Sequence, residues 1–103
     1  MNEKRRHQRI KFGFQIKNET GKKIWIAEDI SVGGCFIKAL ESMPIGSKIN
    51  LVFQIPGSSR YVEALGEVKR FQENGMGIEF VNMEDTGRDE VEGFVKDFTK
   101  FQD

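Results

Sequence analysis

Two short clusters of polar residues in this sequence have types and a spacing that suit ligand binding. The first, Arg5-Arg6-His7-Gln8-Arg9, lies close to the N-terminus, and the second is Asp29-x-Ser31-x-x-Gly34. Arginine carries a planar fork of N–H donors that pairs bidentately with a phosphate or with the O6/N7 edge of guanine, and it also stacks on bases. The chain has 16 basic and 16 acidic residues, yet residues 1–23 carry eight bases against two acids. A basic segment on a neutral chain indicates a local anion site rather than general coating of nucleic acid.

Each cluster on its own has an ordinary structural explanation. A run of the Asp-x-Ser-x-Gly-Gly type is more often a turn in which the aspartate and serine bond to nearby backbone groups. An arginine-rich N-terminal run is more often a solvated tail. The occurrence of both clusters at this spacing in one short chain is what favours a binding site.

The length and composition indicate one small domain and exclude several classes of protein. A chain of 103 residues fits a single core, and no apolar run approaches the roughly 18 residues of a transmembrane helix. The basic N-terminal segment is not followed by the apolar stretch of a secretory signal. The single cysteine cannot form an internal disulfide. We therefore expect a cytoplasmic protein without a membrane span.

Residues that could carry catalysis or hold a metal are scarce. The single histidine, His7, lies in a basic segment without an evident carboxylate to orient it. Ser31 is not in a nucleophile-elbow sequence, and one cysteine with one histidine cannot complete a zinc site. We expect a binding protein that is not an enzyme and that has neither a metal nor a cofactor.

The rest of the chain predicts six short strands. Alternating or apolar runs are separated by clusters of turn-forming residues, which is the pattern of strands joined by turns. The runs cover residues 10–16, 23–29, 35–40, 49–55, 61–71 and 76–81. Six short strands at this spacing are typical of a sandwich or a barrel.

The C-terminal residues predict one amphipathic helix. Its apolar stripe, with steps of three and four residues, consists of Val91, Phe94, Val95, Phe98 and Phe101. Asp85 or Thr86 can cap the start of this helix. Gly93 costs about 1 kcal/mol relative to alanine, so packing rather than propensity must hold the helix. We expect it to dock across the barrel and cover apolar surface there.

The two clusters, in this order and at this spacing, resemble the signature of the PilZ domain family, RxxxR followed by (D/N)xSxxG. Arg5 and Arg9 match the first motif, and Asp29-x-Ser31-x-x-Gly34 matches the second. The strand Gly75-Met-Gly-Ile-Glu-Phe80 and the closing helix also look like this family, so the resemblance covers nearly the whole chain. It implies a mainly β fold, a six-stranded antiparallel Greek-key barrel of the split-barrel type with a C-terminal helix. Residues 1–9 would form a flexible basic segment, and residues 10–103 the barrel and helix of a stand-alone member.

The resemblance also implies a function, which is that of a bacterial receptor for the second messenger cyclic di-GMP. Arg5 and Arg9 would bind guanine edges or phosphates, and Arg6 would add a phosphate contact. Asp29 would accept from a guanine N–H, and Ser31 would either donate to the ligand or fix the loop. Gly33 and Gly34 complete the expected ligand site. At Gly34 the missing Cβ permits close approach of backbone to base and a positive φ.

Two further residues are candidates for the border of the site. Lys4 stands directly before RxxxR, where a basic residue in this family is associated with a stacked pair of ligands, so a pair rather than a single ligand is our expectation. Arg70 lies at the end of the apolar residues of the fifth strand, although an exposed strand arginine is a common structural residue.

The resemblance implies that the protein is an adaptor. Ligand would draw residues 1–9 onto the barrel and present a new surface to an effector protein that the sequence does not identify. Two alternatives remain open: a ligand-independent protein-interaction module of the same fold, and a barrel that binds single-stranded nucleic acid. Intact arginines and an intact Asp29-x-Ser31 argue against the first. The scarcity of basic residues outside the N-terminal segment and the lack of an aromatic-rich RNA-binding strand argue against the second.

Overall fold

The computed structural model describes residues 10–100, and the side chains of residues 12–98. It contains six strands and one helix, in the predicted order. The strands are β1 (Ile10–Asn18), β2 (Ile24–Ser31), β3 (Gly34–Lys38), β4 (Lys48–Gln54), β5 (Tyr61–Gln72) and β6 (Gly75–Met83), and the helix is α1 (Asp85–Lys100).

The strands form a closed antiparallel barrel in the order β1-β2-β3-β6-β5-β4. Each half of the chain makes a three-stranded meander, and the connection from β3 to β4 crosses between them. As a result β4 lies beside β1, and the order 4-1-2-3 is that of a Greek key. The predicted mainly β Greek-key barrel is confirmed, and its closure leaves no free strand edge.

Alternate residues of each strand point inward and fill the barrel, as the period of two requires. Fully buried examples on four strands are Ile16, Ile37, Leu51 and Val68. Phe53 lies among them and contacts two other rings, with centroid distances of 5.8 Å to Phe14 and 5.9 Å to Phe80. Burial of these side chains, at about 1.5–3 kcal/mol for each large one, accounts for the stability of a barrel this small.

Helix α1 docks through the predicted stripe. Val91 and Val95 are buried in the core. Phe94 and Phe98 contact the Phe12 ring of β1 edge-on, with centroid distances of 5.8 and 6.1 Å, an arrangement that aromatic pairs favour. Phe101, the last residue of the predicted stripe, lies outside the described residues.

Two β-bulges occur close together in the wall of the barrel. The register between β1 and β2 shifts between Lys11 and Phe14. The register between β2 and β3 shifts between Ala27 and Asp29. An extra residue in each of two neighbouring strands bends the wall and re-aims the adjacent side chains. The second polar cluster begins at this bend.

Candidate functional site

The β2–β3 hairpin carries the second polar cluster, and Ser31 holds its turn. The Ser31 hydroxyl accepts a hydrogen bond from the Gly33 N–H at 3.2 Å and donates one to the Gly34 carbonyl at 3.4 Å. Ser31 is only 2% exposed. The hydroxyl therefore bonds within the turn and helps to fix the loop, whereas its donation to a ligand stays a prediction.

Asp29 lies at the β2 bulge, where it makes a side-chain contact to the backbone of β3. Its Oδ1 accepts the N–H of Phe36 at 3.0 Å. Asp29 and Phe36 are also register partners immediately after the shift in pairing, so the carboxylate bonds a backbone donor at the bulge. The same residue is half-buried and lines a cleft on the outside of the barrel. Asp29 is thus held firmly where a ligand could reach it.

Gly34 lies where β3 packs directly against the backbone of β6. A Cβ at this position would overlap the Ile78 carbonyl oxygen and come within 3.2 Å of the Glu79 Cα. The expected positive φ is not observed, because the described glycines with positive φ are Gly21, Gly46 and Gly57. That expectation was wrong for a physical reason: Gly34 opens β3 as a strand residue, and it is the neighbouring backbone that requires a residue without a side chain.

The cleft beside Asp29, here called the bulge cleft, has a volume of about 530 Å³. It lies between the two bulges and extends over three strands. Its lining residues are Phe12, Gly13, Ile26, Glu28, Asp29 and Lys38. Small-molecule sites in proteins have volumes of about 300–1,000 Å³, so this cleft has room for at least one nucleotide-sized group.

The first polar cluster is covalently attached beside this cleft. Arg5, Arg6 and Arg9, together with Lys4, lie outside the described residues. Arg9 is bonded to Ile10, however, and Ile10 pairs with Ile30 between Asp29 and Ser31 of the second cluster. Strand pairing therefore places the start of β1, to which the first cluster is joined, beside the second cluster, although Arg9 and Asp29 are twenty residues apart in sequence.

Arg70 lies across a row of paired residues from Asp29. Asp29 pairs with Phe36, Phe36 with Gly77, and Gly77 with Arg70, so one row crosses β2, β3, β6 and β5. A Cβ on Gly77 would lie 2.8 Å from the Arg70 Nη1 and 3.0 Å from its Cζ. The Arg70 side chain thus lies flat over Gly77 on the outer face. It also lines a smaller cleft of about 180 Å³ together with Gly33.

The neighbouring basic residues Lys69 and Arg70 differ in their acidic partners. Lys69 pairs with Glu79 at 3.2 Å and with Glu67 at 3.4 Å, and these hydrogen bonds, first to Glu79 and then to Glu67, raise the pKa of Lys69 above its usual value. Within the part of the chain that the structure describes, no carboxylate pairs with the Arg70 guanidinium. Two carboxylates thus balance the charge of Lys69, whereas the described residues place none against the Arg70 guanidinium.

Sequence reasoning missed five residues of the bulge cleft, which are Phe12, Gly13, Ile26, Glu28 and Lys38. Glu28 and Lys38 form an ion pair at 3.4 Å across β2 and β3. The only local signal was Gly13 between two phenylalanines, since a glycine inside a strand often marks a bulge. The register that brings Lys38 beside Ile26 comes from strand pairing and has no local signature.

Other kinds of site were sought over the same residues. Within residues 10–100, no group of His, Cys, Asp and Glu side chains could hold a metal ion, and no helix in this range is long and apolar enough to cross a membrane. Cys35 is buried at 1% exposure, as expected for a small apolar residue.

The close contact at Gly34 predicts a loss of stability that alanine elsewhere would not cause. We expect Gly34→Ala to lower the free energy of unfolding by about 1–3 kcal/mol, because β3 and β6 must separate to admit a methyl group. Gly93→Ala in α1 is the matched control: a Cβ there meets nothing within 4 Å, so helix propensity should raise stability by about 1 kcal/mol. Urea denaturation followed by circular dichroism measures both. A Gly34→Ala protein as stable as the native one would show that β3 and β6 are far enough apart at this position to hold a methyl group.

Comparisons with known proteins agree with this geometry. The family model for the PilZ domain matches residues 3–97, whereas no curated protein sequence matches the chain. Among solved structures, the inhibitor of motility MotI/DgrA of Bacillus subtilis superposes with a TM-score of 0.82 at 15% identity, covering 99% of this chain and 55% of that one. YcgR from Escherichia coli, solved in complex with c-di-GMP, gives a TM-score of 0.75 at 15% identity, covering 95% and 47%.

A third structure is shorter than these two. The PilZ domain of CeSA from a cellulose-synthesizing bacterium gives a TM-score of 0.57 at 13% identity, covering 93% of this chain and 99% of that one. The chain thus spans about half the length of MotI and YcgR but nearly all of the isolated CeSA domain. At these identities the structures establish the fold, and the family model covers most of the sequence. The chain belongs to the PilZ domain family.

Proposed function

We propose that this PilZ domain is a receptor for cyclic di-GMP in the bacterial cytoplasm, and that it works as an adaptor rather than as an enzyme. The observation that carries the proposal is the attachment of the arginine cluster beside a complete Asp29-x-Ser31-x-x-Gly34 hairpin, at the mouth of the bulge cleft. Membership of the family supports it. The similar fold of YcgR, which was solved in complex with c-di-GMP, supports it as well.

The residue types suit this ligand, which has two phosphates and two guanines. Arg5 and Arg9 pair bidentately with guanine O6/N7 edges or with phosphate oxygens, and Arg6 adds a phosphate contact. Asp29 accepts from a guanine N–H, which adenine does not offer at the corresponding edge. Gly33, which is half-buried, keeps the backbone of the turn accessible to the base, and Gly34 contributes by letting β3 lie directly against β6. Ser31 contributes by fixing the turn through its bonds to Gly33 and Gly34.

Arg70 lies at the border of the proposed site, in the smaller cleft that it lines together with Gly33. Its guanidinium lies flat over Gly77, in a posture that offers one face for stacking on a guanine and its edge for a phosphate. The row Asp29–Phe36–Gly77–Arg70 then places an acceptor at one end and a cation at the other. Such a row suits a planar base with a donor edge and a neighbouring phosphate.

The adaptor mechanism is a ligand-dependent ordering of residues 1–9. Ligand draws the arginines onto the barrel, and the reordered segment becomes part of a surface that an effector protein reads. Phe12 is the first described side chain after this segment and lines the bulge cleft. Its contacts with Phe94 and Phe98 connect the cleft to α1, so helix and segment respond together.

Ligand binding is tested directly by titration calorimetry. We expect cyclic di-GMP to bind the native chain, and Arg9→Ala to weaken binding about tenfold to a hundredfold, since a bidentate pair contributes about 1–3 kcal/mol. Arg60→Ala is the control, because Arg60 is exposed and pairs with Glu90 of α1 at 3.9 Å. Two ligands per chain would agree with the expectation from Lys4. No heat, and no rise in melting temperature with excess ligand, would favour the ligand-independent interaction module.

The role of Arg70 is tested by comparing two substitutions. Arg70→Ala should weaken cyclic di-GMP binding about tenfold, and Arg70→Lys should recover little of it, because an ammonium group has no planar face. The melting temperature should change little in both variants, since the described residues include no ion pair that the change would break. Full affinity in Arg70→Ala would make this residue a surface arginine of the fold only.

The ordering of residues 1–9 is tested by hydrogen exchange measured by mass spectrometry. With saturating cyclic di-GMP we expect peptides covering residues 1–9 to exchange several-fold more slowly, because ordering protects amides that otherwise open freely. Strand β4 serves as an internal reference, since it pairs with the end of β1 farthest from residues 1–9 and holds no proposed ligand contact. Equal exchange in residues 1–9 with and without ligand, under conditions where calorimetry shows saturation, would refute the switch but not the receptor.

A further inference from the structure

The outer face of β2 exposes two isoleucines near the end opposite the ligand hairpin. Ile24 and Ile26 are 53% and 45% exposed, whereas Ala27 and Ile30 on the inner side of the same strand are fully buried. Leu40, two residues beyond the end of β3, is 87% exposed. Large apolar side chains grouped on one wall mark an interaction surface more often than single ones do.

The fold itself does not use this surface. β2 pairs with β1 on one side and β3 on the other, so its backbone groups are bonded and no strand can be added there. Helix α1 packs through Phe94 and Phe98 on Phe12 and leaves Ile24 and Ile26 uncovered. Binding at this wall must therefore work through side chains.

Lysines surround the two isoleucines. Lys17 is the register partner of Ile24, and Lys38 is that of Ile26. Lys22 and Lys23 are exposed in the turn that leads into β2. Over the described part of the chain no carboxylate pairs with the side chains of Lys17, Lys22 or Lys23.

The acidic groups near this wall are few. Glu28 is bound to Lys38 at 3.4 Å, and Glu19 in the turn and Glu41 next to Leu40 are exposed, against three lysines to which the described residues supply no carboxylate partner. The rim therefore keeps a net positive charge, which attracts acidic partners and repels basic ones.

We infer that Ile24, Ile26 and the surrounding lysines, here called the β2 face, dock a segment of a partner protein that is amphipathic and acidic. The apolar stripe of such a segment would cover the isoleucines, and its carboxylates would meet the lysine rim. The isoleucines lie in the wall of the barrel and not on a protruding tip, and Gln15 and Lys38 flank Ile26 on the two neighbouring strands. Apolar side chains in a wall beside a cleft suit a docked helix better than they suit insertion into a bilayer.

The β2 face adjoins the proposed ligand site. Ile26 and Lys38 line the bulge cleft together with Asp29, so a partner docked on Ile24 and Ile26 also borders the place where ligand would order residues 1–9. The inference gives the adaptor a partner chemistry and a docking position. It does not require ligand binding, and its test is independent of cyclic di-GMP.

The test uses two fluorescent peptides of about 18 residues, or five helical turns, with the same leucine stripe. One carries glutamates at its polar positions and the other carries lysines. We expect the acidic peptide to bind the native chain in fluorescence anisotropy, more weakly as added salt screens the charges, and the basic peptide not to bind. Ile24→Ser and the double change Lys22→Glu with Lys23→Glu should each weaken binding about tenfold or more. The matched control is Ile45→Ser with Lys48→Glu, an exposed isoleucine and lysine elsewhere on the barrel.

Two readouts guard against indirect effects. Amide NMR shifts of the native chain with the acidic peptide should concentrate on β2 and the adjoining residues of β1 and β3, and shifts elsewhere would overturn the inference. Ile24 and the turn lysines are not proposed ligand contacts, so these variants should bind cyclic di-GMP as the native chain does. A chain that binds the peptide but not the nucleotide would refute the proposed function alone.

Three further outcomes would overturn the inference. Unchanged peptide affinity in the β2-face variants would show that the acidic peptide does not bind at this surface. Binding to vesicles of phosphatidylcholine with phosphatidylglycerol, lost in the same variants, would identify a lipid surface as the occupant. Self-association in sedimentation velocity, abolished by Ile24→Ser, would identify a second copy of the chain.

Discussion

The contact between β3 and β6 is the constraint on which the rest of the molecule depends. Together with the pairing of β1 and β4, it joins the two meanders into one closed barrel. It requires the Gly34 backbone to lie against the Ile78 carbonyl with no side chain between them. The same pair of strands includes Gly77, whose missing side chain leaves room for Arg70. Glycine is therefore required twice along this contact. At Gly34 it lets the barrel close, and at Gly77 it leaves space on the outer surface for the Arg70 side chain.

The residues of the second motif serve the fold as directly as they would serve a ligand. Ser31 fixes the hairpin turn, and Asp29 binds the Phe36 N–H at the bulge. Burial makes these bonds important, because an unpaired polar group in such a place costs about 1–3 kcal/mol. The effect of an Asp29 or Ser31 substitution on folding must therefore be measured before a loss of binding is attributed to a lost ligand contact.

The sequence predicted most of the architecture, since alternating runs and an apolar stripe are local patterns that strands and a helix impose. It also predicted a turn between Asp29 and Gly34, although the turn is confined to Val32 and Gly33, and Asp29 to Ser31 belong to β2. It did not predict the bulges at Phe12–Gly13 and at Glu28, because a single extra residue disturbs a pattern of period two very little. The row from Asp29 to Arg70 depends on the pairing of strands distant in sequence, which no local pattern encodes. The positive φ expected at Gly34 was wrong because a turn glycine and a close-contact glycine look the same in sequence.

The closed wall has a consequence for how the domain combines with other parts of a protein. An open sheet offers unpaired edges that a neighbouring domain can capture or disturb, whereas this barrel satisfies its backbone internally. Such a unit can be joined to other domains at either end without changing its own strand pairing. The longer chains of MotI and YcgR, of which this chain matches about half, show the same fold in larger proteins. The domain keeps its structure in different proteins because its strands are hydrogen-bonded only to one another. The side chains on the outer wall then determine what each protein with this domain recognises.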